Sequence, residues 1–167
     1  MEKLIPVFQY YYSFISEGNE KVSLVHQSGL YENDFEALLR ESIQKDRILQ
    51  YTSKGIHKDD LVYYIGDHPI KKLGSQGQKK TYLVALKLAQ FDFVKEISGI
   101  KPILLLDDIF DKLDQFRVEQ IVKIVAGDQF GQIFLTDTNR EHLDSIIQKM
   151  DADFRIFNVD EGRVELV

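Results

Sequence analysis

The chain has 167 residues, 44% of them hydrophobic and 29% charged, which is the composition of a globular domain with its own hydrophobic core. Its net charge of -6 gives no overall basic character, so composition alone does not indicate a nucleic-acid-binding protein. The absence of cysteine excludes disulfides and thiolate metal sites and is compatible with a reducing cytoplasm. No stretch approaches the ~20 apolar residues of a membrane span, and the first residues lack the apolar core of a signal peptide. We therefore expect a cytoplasmic protein without a membrane segment.

The first 55 residues are predicted to be mostly helical. Apolar side chains recur at helical spacing over residues 1–17, and again over residues 35–50 behind a possible N-cap at Asn33-Asp34. Residues 22–26 between these two helices show the alternation of a short strand.

The residue pattern in the middle of the chain predicts a hairpin that leads into a long helix. Leu61 to Ile65 form the first strand, Gly66-Asp67 the turn, and Ile70 to Leu73 the returning strand. A helix then begins within residues 74–80 and continues to about Ile97. Its apolar residues occupy more than one side, so we expect it to be packed on several sides.

The stretch from Pro102 to Asp114 organises the second half. Ile103 to Leu106 are consecutive aliphatic residues without polar alternation, which predicts a strand buried on both faces, inside a parallel sheet that helices cover. Asp114 can cap the next helix, and Gly127 can end it. The later elements are predicted as a strand at 132–135, an amphipathic helix at 143–150 and a closing hairpin at 154–159 and 163–167. This order of strands and helices is typical of an α/β fold.

Two carboxylates, Asp107 and Asp108, directly follow the central strand. In open α/β sheets, ligands bind at the carboxyl ends of the strands. One acid there can hold Mg²⁺ on a phosphate, and a second can orient a water molecule. The alternative is that one aspartate ends the strand and the other caps the following turn. The two acids alone do not decide between these interpretations.

The segment Ser75-Gln76-Gly77-Gln78-Lys79-Lys80 opens the long helix. Small residues leave the first N–H groups of a helix uncovered, and a helix N-terminus attracts anions. Gly77 allows close approach, whereas Ser75 and Gln78 supply neutral donors. Two lysines in the first turn oppose the helix dipole by roughly 0.3–1 kcal/mol each, so we expect a negative partner there. The alternative is an ordinary serine N-cap on a core helix.

Other polar residues give weaker signals. The four histidines form no i, i+4 pair and no helical motif with an acid, so a zinc site is not predicted. Lys71 and Lys72 are interpreted as a solvated face rather than a contact with DNA phosphates. Asp59 and Asp60 are interpreted as loop residues or the start of a strand, with a nucleotide contact as the less favoured alternative.

Taken together, these stretches match known motifs. Ser-Gln-Gly-Gln opening a long helix, then an aliphatic strand ending in Asp-Asp, then Asp-Lys-Leu-Asp, resembles the signature motif, Walker B strand and D-loop of the ABC ATPase superfamily. Within it, the chain is most similar to the RecF family of bacterial recombination mediators. That family differs from transporters at three positions, which correspond to Gln76, Asp108 and Thr136 here. Residues 55–61 also resemble the family's Gly-Pro-His-Arg-Asp-Asp-Leu, with Ile56 in place of proline.

The resemblance covers residues 50–167 and implies an α/β fold. Residues 56–167 would be the C-terminal part of an ABC-type (P-loop NTPase) ATPase head. Residues 1–55 would be a small, mostly helical segment from the end of the family's second, lid-like domain.

The resemblance also implies a role for each motif residue. Asp107 would coordinate Mg²⁺, and Asp108 would orient the hydrolytic water. The signature residues, Ser75 to Gln78, would bind ATP held by a second copy of the protein. Ser75, Gly77 and Gln78 would contact its γ-phosphate, and Gln76 lies within the same segment. Two further residues complete this site. Asp114 would lie at the dimer seam, and Thr136 would sense the γ-phosphate.

The function implied by the resemblance is an ATP-dependent homodimer in DNA replication, repair, recombination and the SOS response. The dimer would clamp DNA at a junction of single strand and duplex and help to load recombinase with mediators such as RecR. No Gly-x-x-x-x-Gly-Lys-[Ser/Thr] loop is present to hold the β- and γ-phosphates. We therefore expect a C-terminal fragment that is inactive alone as an ATPase. The alternatives are the head of another SMC-like ATPase, or a non-enzymatic interaction domain with the same fold.

Overall fold

The structure is a computed structural model that describes residues 1–138, Asp144 and 153–167. Its first half contains a 3-10 turn (Ile56–Lys58) and, in chain order, α1 (Leu4–Ser16), β1 (Val22–Gln27), α2 (Phe35–Leu49), β2 (Asp60–Ile65), β3 (His68–Pro69) and α3 (Ile70–Leu73). The second half contains α4 (Gln76–Ser98), β4 (Leu104–Leu106), α5 (Gln115–Val125), β5 (Ile133–Leu135), β6 (Phe157–Asp160) and β7 (Arg163–Leu166).

Helices α1 and α4 pack against each other and form the centre of the core. Phe8 of α1 lies against Tyr82 of α4, with the ring centroids 4.5 Å apart. Leu88 and Ala89 of α4 are fully buried in the same cluster, which also includes residues of β4 and α5. The apolar stripes of both helices therefore face each other, as the spacing of their hydrophobic residues predicts.

A small antiparallel sheet joins the first segment to the rest of the chain. Strand β1 pairs with β2 from Val22 opposite Ile65 to Gln27 opposite Asp60. The hydroxyl of Tyr82 donates to the carbonyl of Ser23 at 2.8 Å and attaches this sheet to α4. The strands over residues 22–26 and 61–65 are therefore confirmed.

The predicted returning strand at Ile70 to Leu73 is wrong. The return consists only of β3, which pairs with β2 over two residues and ends at Pro69, and the next four residues form the helical turn α3. The N–H of Gly74 closes that turn on the carbonyl of Ile70 at 2.9 Å. Ile70 is buried while Leu73 is exposed, so the turn buries the apolar side chain that a strand would also have buried. The two apolar residues are three positions apart with Lys71 and Lys72 between them, a spacing that fits a helical turn better than the alternation of a strand.

Strands β4 and β5 form the predicted parallel pair, with Leu104 opposite Ile133 and Leu106 opposite Leu135. The prediction that the run is buried on both faces is wrong in this structure. Leu106 is 1% exposed, whereas Ile103 and Leu105 are 59% and 62% exposed. Side chains alternate along a strand, and in the described residues the core covers only one face of the pair. The apolar run identified the strand but not the number of its covered faces.

The remaining predicted elements agree with the structure where it describes them. Helix α4 ends at Gly99, which has φ 69°, and α5 ends one residue before Ala126, close to the predicted Gly127. The closing hairpin is present as β6 and β7. The predicted helix at 143–150 lies outside the described residues, apart from Asp144. Among the described helices, none is long and apolar enough to cross a membrane.

Candidate functional site

Asp107 and Thr136 follow the two parallel strands β4 and β5, so both lie at one edge of the sheet. The N–H of Thr136 donates to the carbonyl of Leu106 at 3.0 Å and extends the strand pairing by one step. Its hydroxyl donates to Oδ1 of Asp107 at 2.5 Å. Both side chains are exposed to solvent. The structure therefore brings together an acid and a hydroxyl that are 29 residues apart in the chain.

Asp108 adopts a left-handed backbone conformation with φ 46°. This conformation is unfavourable for a residue other than glycine, so neighbouring contacts must hold it. Its N–H lies 3.2 Å from the carbonyl and 3.0 Å from the hydroxyl of Thr136. Its carbonyl accepts a hydrogen bond from Nζ of Lys80 at 2.6 Å. Strand β5 and the first turn of α4 thus fix the peptide groups on both sides of Asp108, while its side chain stays exposed.

Lys80 therefore has a partner that the sequence did not suggest. The unfavourable position of a lysine in the first turn of α4 indicated a negative partner. The partner seen in the structure is instead the backbone carbonyl of Asp108, from a segment 28 residues away. A backbone carbonyl is a neutral acceptor and not an anion, so the expected negative partner stays a prediction.

Ser75 is the N-cap of α4 and forms a reciprocal capping box with Gln78. The N–H of Gln78 donates to Oγ of Ser75 at 3.1 Å, and the N–H of Ser75 donates to Oε1 of Gln78 at 2.8 Å. The ordinary serine N-cap, which was the alternative interpretation of this segment, is thus present. Because Oγ accepts in this cap, its own hydrogen remains able to donate, and both Ser75 and Gln76 are exposed. Capping and an anion contact are therefore compatible at this serine.

Gly77 allows two segments of the same chain to approach. A Cβ at this position would lie 3.3 Å from the carbonyl oxygen of Lys112 and 3.4 Å from a guanidinium nitrogen of Arg117. Both distances are tighter than ordinary contacts, so a larger residue would push the segment before α5 away from α4. Glycine here places the Asp-Lys-Leu-Asp segment next to the start of α4.

A partly buried carboxylate, Glu20, connects these two segments. It accepts hydrogen bonds from the hydroxyl of Tyr12 at 2.5 Å, from Nε2 of Gln78 at 2.7 Å and from the guanidinium of Arg117 at 3.3 Å. Burial acts to raise the pKa of Glu20, but the bonds from Tyr12 and Gln78 and the charge of Arg117 outweigh it and lower the pKa. The group is therefore held as a carboxylate.

Arg117 extends this connection to Asp114. The N–H of Arg117 donates to Oδ1 of Asp114 at 2.9 Å in the N-cap of α5, and its Nε lies 3.5 Å from Oδ2. A second guanidinium nitrogen donates to the hydroxyl of Thr81 at 3.2 Å. Sequence reasoning predicted Asp114 as a cap but missed Glu20 and Arg117. These two lie 97 residues apart, and no local motif signals such a pair.

Residues 55–61 have contacts that do not involve the acid pair Asp107 and Asp108. Asp59 lies 3.4 Å from Nε2 of His26, and Asp60 begins β2. Oδ1 of Asp59 is buried without a hydrogen-bond partner in the described part of the chain. The interpretation of Asp60 as a strand start is confirmed. Within the described residues, no hydrogen bond or ion pair joins this stretch to Asp107 or Asp108.

The donor set at Asp107 suits a metal that arrives with a phosphate ligand. Within the described ranges there is no group of three or more histidines and acids that could hold an ion by itself. Thr136 occupies Oδ1 of Asp107, which leaves Oδ2 for another partner. Mg²⁺ is commonly bound by one or two carboxylates together with phosphate oxygens and waters. One exposed carboxylate at a sheet edge fits that pattern.

A parallel strand pair that ends in two acids, beside a serine-capped helix, is the arrangement of an ABC-type ATPase head, and solved structures agree with this class. The chain resembles the recombination mediator protein RecF bound to ATPrS, with a TM-score of 0.70 and 26% identity over 99% of this chain and 44% of that one. It also resembles a head from a study of ATP-driven dimerisation of SMC ATPases, with a TM-score of 0.56 and 16% identity over 99% of this chain and 83% of that one. The second likeness shows the fold alone.

The sequence comparisons find close similarity to proteins named RecF. The chain is 57% identical over 163 residues to the DNA replication and repair protein RecF of Phocaeicola vulgatus, which covers 97% of this chain and 44% of that protein. It is 59% identical over 162 residues to RecF of Bacteroides thetaiotaomicron, with the same coverage of both chains. No protein-family model matches the chain. The chain is therefore homologous to the RecF proteins, as its motifs predict, and it spans less than half the length of these relatives.

Proposed function

We propose that this chain supplies the acid pair and the signature helix of a RecF-like ATPase that acts in DNA repair. The observation that carries the proposal is the hydrogen-bonded group of Asp107, Asp108 and Thr136 at the end of a parallel strand pair. Relatives named DNA replication and repair protein RecF, and a solved RecF–ATP complex, support it. The SMC-like alternative has weaker support, because that likeness rests on 16% identity.

The acid pair would act on nucleotide bound by its own copy. Oδ2 of Asp107 would hold Mg²⁺, and the hydroxyl of Thr136 keeps that carboxylate oriented through Oδ1. When bound, Mg²⁺ supplies positive charge that offsets the phosphates of ATP. Asp108 would orient the attacking water from its exposed side chain. Aspartate is one methylene shorter than glutamate, so we expect slow turnover.

The start of α4 would act on nucleotide held by a second copy. Ser75 has a hydroxyl hydrogen that its capping role does not use, and the first N–H groups of a helix attract anions, so Ser75 and Gly77 would contact the γ-phosphate. Gln76 completes the exposed surface of this turn. The amide of Gln78 is already bonded to Ser75 and Glu20, so its part would be to hold the turn in shape as well as to contact phosphate. Asp114 would face the seam between the two copies.

ATP would thus bind two copies together, and hydrolysis would release them. The dimer would clamp DNA at a junction of single strand and duplex, in the cytoplasm, and would cooperate with mediators such as RecR to load recombinase. The phosphate-cradling loop is not among the 167 residues, so hydrolysis would need it from elsewhere. A non-enzymatic interaction domain is the alternative that the following experiment tests.

The test uses the longest natural polypeptide that contains this chain, with ATP and ADP, in analytical ultracentrifugation and a phosphate-release assay. We expect dimers with ATP but not with ADP. Ser75→Arg should abolish dimers while ATP binding persists, and Asp107→Asn should abolish Mg²⁺-dependent hydrolysis. Asp128→Asn is the matched control at an exposed position and should behave as the unmodified protein. An unmodified protein that neither binds ATP nor dimerises would contradict the proposal.

A further inference from the structure

Glu20 lies where three helices meet. Its carboxylate bonds to Tyr12 of α1, to Gln78 in the first turn of α4 and to Arg117 in the first turn of α5. Its side chain is 18% exposed, and that of Arg117 is 16% exposed, so solvent screens this ion pair only partly. A carboxylate that accepts from three donors in this position fixes the relative placement of all three helices.

Glu20 joins the first turns of α4 and α5. In the proposed function, these two turns face the second copy of the protein. Through Gln78, the carboxylate supports the capping box that orients Ser75. Through Arg117, it holds the guanidinium that also lies 3.5 Å from Asp114. The acid pair is held differently, by bonds to Thr136 and Lys80 rather than to Glu20. One side chain therefore serves the surface for the second copy without contacting the acids of its own copy.

We propose that Glu20 is a positioning residue for ATP-dependent dimerisation, and that it aligns the start of α4 with the segment before α5. This inference rests on the proposed function. Without the carboxylate, Gln78 loses the acceptor of its amide N–H, and Arg117 keeps only Asp114 as an ion-pair partner. Arg117 then draws toward Asp114, and its bond to the hydroxyl of Thr81 is the side-chain hydrogen bond left between the starts of α4 and α5 in the described residues. Binding of nucleotide by the acid pair does not depend on this contact.

The prediction is a separation of two affinities in the longest natural polypeptide that contains this chain. In the Ser75→Arg background, in which neither protein dimerises, a non-hydrolysable ATP analogue should bind equally tightly with and without Glu20→Ala, by titration calorimetry. ATP-dependent dimerisation of Glu20→Ala should weaken by about tenfold or more, because the two turns that would face the second copy must then be ordered during association. Glu20→Gln, which keeps an acceptor oxygen but not the charge, should weaken it less. Glu32→Gln, at an exposed position, is the control and should change neither affinity.

A double-mutant cycle distinguishes positioning from general loss of stability. Glu20→Gln and Arg117→Met should have non-additive effects on the dimerisation constant, because the two side chains act through one contact. If Glu20→Ala does not fold, Glu20→Gln and this cycle decide the question. Equal losses of nucleotide affinity and dimerisation would overturn the inference. If the unmodified protein dimerises with ATP and the Glu20 variants dimerise equally well, only this inference is wrong. An unmodified protein that never dimerises contradicts the proposed function itself.

Discussion

The two roles of Ser75 can be separated with a pair of substitutions. Ser75→Ala removes the side-chain oxygen that caps α4, whereas Ser75→Asp keeps a capping oxygen and adds a negative charge. The first change tests the contribution to stability. The second preserves the cap and places a repulsive charge where we propose that a phosphate binds.

The magnitudes follow from the cap geometry. Loss of an N-cap side chain costs about 0.5–2 kcal/mol, and the bond from the N–H of Ser75 to Gln78 survives in the alanine variant, so we expect about 1 kcal/mol. For a chain of this size, that corresponds to a fall of roughly 2–4 °C in Tm. Ser75→Asp should be at least as stable as the unmodified protein, because a carboxylate at a helix N-terminus is favourable by roughly 0.3–1 kcal/mol.

Thermal unfolding followed by circular dichroism measures the first effect, and ultracentrifugation with ATP measures the second. Ser75→Ala should lose stability and retain part of the dimerisation, whereas Ser75→Asp should keep stability and lose dimerisation. Ser13→Ala, at an exposed position of α1, is the control for replacing a serine and should change Tm by little. Dimers of Ser75→Asp as stable as those of the unmodified protein would refute the proposed phosphate contact.

Three further predictions concern the sheet edge and the core. Leu106→Ala should lower the free energy of unfolding by about 2–5 kcal/mol and Leu105→Ala by much less, because of these two residues only Leu106 is buried. Equal losses in a denaturant titration would contradict the one-sided burial of β4. Thr136→Val removes the hydroxyl bonded to Asp107, so it should slow hydrolysis in the longest natural polypeptide with nucleotide affinity retained, and an unchanged rate would show that the hydroxyl is not needed. Burial raises the pKa of Tyr82 above its usual value, so the unfolded chain ionises first as the pH rises past about 10, and stability should fall there. Tyr82→Phe should reduce that loss in unfolding curves at alkaline pH, and an identical loss in both proteins would contradict it.

Local chemistry was predictable where a residue acts within its own turn or strand. Ser75 and Asp114 cap the helices that their sequence context indicated, and β4 and β5 pair in parallel as the aliphatic runs suggested. The exposure of Leu105 was not predictable, because an apolar run reports the hydrophobicity of a strand and not what lies against it.

Contacts between distant segments could not be predicted in the same way. A cation near the start of a helix is unfavourable, which led to the expectation of a negative partner, but the sequence could not predict that Lys80 donates to the carbonyl of Asp108. Glu20 carried no signal at all, because its three partners converge only after α1, α4 and α5 have packed. The predicted role of each motif residue toward nucleotide stays a prediction.

The packing of α1 on α4 sets a limit on how far this chain can be shortened. Phe8, Tyr11, Tyr12 and Ile15 are each at most 1% exposed, and burial of one such side chain is worth about 1.5–3 kcal/mol. Together they contribute roughly 6–12 kcal/mol, which is comparable to the whole stability of a typical domain, about 5–15 kcal/mol. A truncated version that begins after Ser16 would leave one side of α4 open to water, so α1 is structurally indispensable to the rest of the chain even though it carries none of the motif residues.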